Sequence, residues 1–108
     1  MGWAVSTARA SADWRTPHHW PAHHRLWLCI HDGEAGWHQA SRAVGYNGVP
    51  LYWGGLQMHA GWGYGTSHHA SDDSQLVQEW AAERAYRASG WSSGWLWQQW
   101  AADAHCFI

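Results

Sequence analysis

The chain contains no lysine, and its six arginines are scattered from Arg9 to Arg87. With a formal net charge of −2, it has no basic stripe of the kind a nucleic-acid partner needs. No stretch approaches the ~20 apolar residues of a membrane-spanning helix. The first twenty residues also lack the apolar centre of a secretory signal, so either a leader is absent from this chain or export takes another route. Cysteine is scarce: Cys29 and Cys106 are two free thiols in a reducing compartment, or most simply one bridge in an exported protein. No Gly-x-Ser-x-Gly turn and no Gly-x4-Gly-Lys loop occur, so serine nucleophiles and nucleotide phosphates have no support. Cys29 lies mid-run among apolar residues, where a thiolate is disfavoured.

What the chain does have is tryptophan, twelve in 108 residues, and ten histidines. The length fits one domain with a small core that gains from a staple. Most of the tryptophans are expected to fill that core. A few, Trp37, Trp53 and Trp62 first, are expected to line a cleft. His18, His19, His23 and His24 cluster, and His68-His69 is a second pair. His19 and His23 would share a metal only on a continuous helix, which Pro21 interrupts. There is no His-Glu-x-x-His and no Cys-x2-Cys, so neither a metal nor a cofactor is expected, and the histidines read as solvated residues of an arm.

Residues 1–20 read as a weakly structured arm and 21–108 as the folded domain. Leu26-Trp-Leu-Cys-Ile30 is apolar all round and fits a buried strand or a helix over about 22–32. On a helix, Trp27, Ile30 and Glu34 share one face, and Leu26, Cys29 and Gly33 another. Asn47-Gly48 signals a turn, and 51–58 reads as a short hairpin or extended turn. A clearer helix follows Ser71-Asp-Asp-Ser74, with Leu76, Val77, Trp80, Ala81 and Ala85 as its inward stripe and Gly90 as its stop. A last helix over about 95–105 carries Trp97, Trp100 and Ala104 inward and delivers Cys106.

The spacing Cys29-x4-Glu34, followed by Tyr52-Trp-Gly-Gly-Leu-Gln57, resembles the lysozyme-like superfamily, and most of all its actinobacterial transglycosylase-like and resuscitation-promoting-factor-like domains. The resemblance runs from about Leu26 to Cys106 and includes Gln78-Glu-Trp-Ala-Ala-Glu-Arg-Ala-Tyr86, which looks like the helix behind the cleft. It implies an α+β, mainly α domain with a short β-hairpin flooring a sugar cleft, a helix over 22–32, and a disulfide between Cys29 and Cys106. Glu34 would be the catalytic acid. Tyr52, Trp53, Gly54, Gly55 and Gln57 would form the substrate-binding turn, with Trp37 and Trp62 as further stacking surfaces. Two departures stand out. Family members usually carry an aromatic just before the acid, where this chain has Gly33, and residues 39–50 look like an insertion.

The chemistry follows from the residues as well. Cleaving a glycosidic bond at neutral pH requires a carboxylic acid that is still protonated, and apolar surroundings keep it so. Glu34 has Trp37 after it and shares a face with Trp27 and Ile30. A second carboxylate on the opposite wall would act as nucleophile or base. Of the eight acids, Asp13, Asp32, Asp72, Asp73, Glu79, Glu83 and Asp103 accompany Glu34, and none lies between Glu34 and Asp72. The residues give the expectation of a single-acid mechanism, and the resemblance makes it that of a lytic transglycosylase or muramidase acting on the MurNAc-β-1,4-GlcNAc bond. The alternative is a non-catalytic glycan-binding module on the same fold. The partner expected is the peptidoglycan glycan strand, the place the cell wall or the exterior, and the state a monomer.

Overall fold

The computed structural model describes residues 16–45, 47–59 and 69–108. Trp62 and His68, singled out above, lie outside the described residues. Among the described residues three α-helices make up the regular structure: α1 (His24–Gly33), α2 (Gln75–Ala88) and α3 (Ser93–Trp100). A 3-10 turn, Ala70–Asp72, leads into α2, and a 3-10 segment, Ala101–Cys106, continues from α3. The domain is mainly helical. The described residues contain no β-strand, and the expected hairpin is reduced to isolated bridges, Ala40 with Trp53, Trp53 with Met58 and Val44 with Pro50. The reason is local. Gly54-Gly55-Leu56-Gln57 turns back after a single residue pair, Trp53 and Met58, which exchange backbone hydrogen bonds of 2.8 and 2.9 Å.

The helix α1 follows Pro21, whose carbonyl accepts from His24 N at 3.0 Å and closes the turn that leads into it. Its centre turns Trp27 and Ile30 fully inward, as the face pattern predicts. It ends at Gly33, and Glu34 is the first residue off the helical path. The helix α2 starts on a Ser74 side chain that caps Val77 N. It stops at Gly90, whose φ of +79° suits a residue without a Cβ.

The inward face of α2 is rotated from the expected apolar stripe. Gln78, Glu79, Ala82 and Glu83 are buried with Val77 and Ala81, while Leu76, Trp80 and Ala85 are only partly buried. The polar residues tolerate burial because each finds a partner. His23 Nδ1 lies 2.7 Å from Glu83 Oε2, and Trp27 Nε1 donates to Glu83 Oε1 at 2.9 Å. His24 Nδ1 lies 2.6 Å from Glu79 Oε1, and Gln75 donates to Glu79 Oε2 at 2.9 Å. These histidines are thus structural and not solvated arm residues. Residues before α1 also pack on the domain: Trp20 stacks on His24, and the His19 carbonyl accepts from Trp80 Nε1.

The core gathers Trp27, Ile30, Leu56, Met58, Ala81, Ala82, Leu96 and Trp100. Among the described tryptophans only Trp27 and Trp100 are fully inside. Trp97, expected to point inward, is 50% exposed: Leu96 and Trp100, four residues apart, form the buried ridge of α3, and Trp97 lies one position off it. A disulfide joins Cys29 to Cys106, fastening the C-terminal 3-10 segment against α1. No described helix is long and apolar enough to cross a membrane.

Candidate functional site

Glu34 occupies the point where α1 gives way to loop. Its own N–H still reaches back to the His31 carbonyl at 3.0 Å, so its Cα is fixed while its side chain is free of the helical ladder. Two concavities meet at this residue. One, of about 250 Å³, lies between Glu34, Tyr52, Gln57 and His59 and the start of the C-terminal 3-10 segment. The other, of about 370 Å³, lies between Glu34, Gln57 and the loop carrying Gln39 and Arg42. Glu34 and Gln57 belong to both, so the two form a groove that passes the carboxyl group on either side. Among the described residues Glu34 is the sole carboxylate lining either part, and Arg42 the sole guanidinium.

Behind Glu34 sits Asp103. It lies at a kink in the 3-10 segment (φ −106°, ψ 24°) and is 2% exposed. Its Oδ2 is buried without a donor among the described residues. Its side chain shares a hydrogen bond with the Glu34 carboxyl. Desolvation, that hydrogen bond and the negative charge of Asp103 together push Glu34 up from an ordinary 4.5 to about 8. At neutral pH Glu34 therefore keeps its proton. Asp103 reaches this position across Gly33, where a Cβ would overlap its Oδ1. A side chain at position 33 would displace Asp103.

The Gly-Gly-Leu-Gln turn faces Glu34 and is held from beneath. Leu56 is fully buried, and its carbonyl accepts from Trp100 Nε1 at 2.8 Å. Gly55 N donates to Gln78 Oε1 at 2.9 Å, and the Gly55 carbonyl accepts from His31 Nδ1 at 3.0 Å. Gly54 N donates to the Gln39 carbonyl at 2.8 Å. With φ +83°, Gly54 adopts a conformation that excludes most side chains, and a Cβ there would overlap Gln78. Gln57 also has a positive φ, of 50°, and its Nε2 donates to the Gly54 carbonyl at 2.9 Å.

The structure brings together Glu34, Tyr52 and Gln57 of the residues singled out from the sequence. Gly54 and Gly55 shape the turn, but their N–H groups are already engaged within the fold and are not free for a ligand. Trp37 and Trp53 do not line the groove. Trp37 packs on the Gly55 backbone and stacks on His31 with ring centroids 4.1 Å apart. Trp53 stacks on His69 at 3.6 Å. The residues that sequence reasoning passed over are Asp103, Arg42 and Gln78. Gln78 carried the one available signal, its place in the helix likened to the back wall of the cleft. No family model matches the chain, and no curated protein or solved structure matches it.

Proposed function

We propose that this protein cleaves the MurNAc-β-1,4-GlcNAc bond of peptidoglycan as a lytic transglycosylase, with Glu34 as general acid. The observation that supports this most is a carboxyl group that retains its proton at neutral pH where two concavities meet. A polymer lying in the groove would present a bridging oxygen to Glu34 and leave a sugar in each half. The residue pattern around Cys29, Glu34 and Tyr52–Gln57 supports the glycan reading.

The reaction balances on one residue. Glu34 donates its proton to the bridging oxygen, and the bond from that oxygen to the MurNAc anomeric carbon breaks. The 6-hydroxyl of the same MurNAc attacks that carbon, and its proton returns to the Glu34 carboxylate. The products are a 1,6-anhydro-MurNAc end and a free GlcNAc 4-hydroxyl. Tyr52 and Gln57 would hold sugar hydroxyls beside the acid.

Asp103 does not change this to a two-carboxylate mechanism. Those mechanisms separate their carboxyl groups by roughly 5–9.5 Å, on opposite faces of the sugar. Asp103 instead touches Glu34 from behind and is shielded from the groove. We place the protein outside the cell or at the wall, where its disulfide would persist.

The test is clearance of a suspension of purified cell walls, with mass spectrometry of the fragments. Wild-type protein should clear the suspension and leave anhydro-muramoyl ends, and Glu34→Gln should lower the rate by at least about a hundredfold. An E34Q variant that clears walls at the wild-type rate overturns the proposal. Binding without clearance would indicate a glycan-binding module instead.

A further inference from the structure

We propose that Asp103, seated on the bare Cα of Gly33, is the positioning residue that holds the proton on Glu34. The inference deepens the reading of Glu34 as a general acid and rests on it for its functional meaning. Its physical content stands on three observations. Asp103 is almost wholly buried, yet one of its oxygens has no donor among the described residues. An ionisable group is rarely left in that condition unless a neighbour shares a proton with it. The neighbour it contacts is Glu34, the one carboxyl lining the groove among the described residues. The approach is possible only because position 33 has no Cβ to occupy the same space.

The kink at Asp103 and the disulfide fix the pair. Cys106 follows Asp103 by less than one helical turn and is tied to Cys29, which precedes Glu34 on α1. Both carboxyl-bearing segments are therefore anchored by one covalent link. Two carboxylates in contact cannot both be charged at low cost, so one proton stays between them. Asp103 is shielded from the groove, so the proton that reaches a ligand leaves through Glu34. Asp103 acts through Glu34 and does not touch substrate.

Other charged and titratable groups near Glu34 leave the inference testable. Tyr52 and His59 face it across the groove, Arg42 flanks it along the loop, and His31 and Asp32 lie on its own helix. All are unchanged in an Asp103 variant.

The experiment follows the Glu34 carboxyl carbon by NMR through a pH titration of the resting protein, with the signal assigned by its loss in E34Q. In wild type, Glu34 should titrate near 8. Asp103→Asn keeps the size and hydrogen-bonding capacity of the side chain and removes its charge. It should lower the Glu34 titration by at least about one unit, with the alkaline limb of wall clearance moving down equally. Gly33→Ala, which leaves Asp103 in the chain but crowds it away, should move both in the same direction. If Glu34 titrates in D103N and G33A where it does in wild type, the inference is overturned. The NMR result needs no activity, so it decides the role of Asp103 even if E34Q clears walls normally and the proposed function fails.

Discussion

Gln78 is fully buried in the middle of α2, and its side-chain amide ties three separate segments together. Its Nε2 donates to the Trp37 carbonyl at 2.6 Å and the Asp73 carbonyl at 3.0 Å, and its Oε1 accepts from Gly55 N at 2.9 Å. The loop after the acid, the start of α2 and the turn facing Glu34 thus meet on one side chain. Gln78→Leu fills the same space but strands two carbonyls and one N–H. Each buried orphan costs about 1–3 kcal/mol. Urea unfolding followed by tryptophan fluorescence should show a loss of about 2–4 kcal/mol once relaxation is allowed for. A Gln78→Leu protein as stable as wild type would mean that water replaces those contacts. At this scale the sequence was legible in part. Glu34 was singled out by the pattern Cys29-x4-Glu34 with Tyr52–Gln57, and the structure puts it beside Tyr52 and Gln57. Asp103 could not be singled out, because an Asp on a late helix signals only a solvated face until Gly33 and the kink bring it against Glu34.

The elements were legible where their signals are local. Ser74, Gly90 and Pro21 act on neighbouring backbone, so the starts of α1 and α2 and the end of α2 lie near where those residues suggest. The inward face of α2 was not legible, because burial of Glu79 and Glu83 depends on His23, His24 and Trp27 from the other end of the chain. Trp97 was misplaced because an apolar run of Trp95, Leu96, Trp97 and Trp100 does not say which ridge faces the core: Leu96 and Trp100 take it, and after Trp100 the chain tightens into 3-10 geometry. That tightened segment is held to α1 by the Cys29–Cys106 bridge, which closes a span of 77 residues. The chain-entropy argument gives such a loop about 4–5 kcal/mol as an upper value. Cys29→Ser with Cys106→Ser should lower stability by up to that amount. It should also free the 3-10 segment, so that Glu34 titrates closer to an ordinary carboxyl. Both effects are read in one preparation, by urea unfolding and by the same carboxyl NMR signal. Loss of stability with an unmoved Glu34 would show that packing of Trp100, not the bridge, registers Asp103.

For the whole molecule, a groove acid that resists ionisation has a thermodynamic counterpart. The folded protein binds the Glu34 proton up to about pH 8, whereas the unfolded chain releases it near 4.5. Between these values the native state holds the extra proton, so stability falls as pH rises. Below about 4.5 both states are protonated, and above about 8 both are ionised, so the contribution of this residue levels off at each end. The slope has a ceiling of about 1.4 kcal/mol per pH unit, and the solvent that reaches Glu34 through the groove lowers it. The pH profile of wild type sums over every ionisable group, so it does not isolate this effect. Glu34→Gln leaves every histidine and Asp103 in place while removing the one titration. Urea midpoints at pH 5, 7 and 9 should therefore show E34Q gaining stability relative to wild type as pH rises, with most of the change between pH 5 and 8. Parallel profiles for the two proteins would mean that Glu34 ionises freely in the folded state. A freely ionised Glu34 would have no proton to donate at neutral pH, which would remove the chemical basis for bond cleavage in the groove.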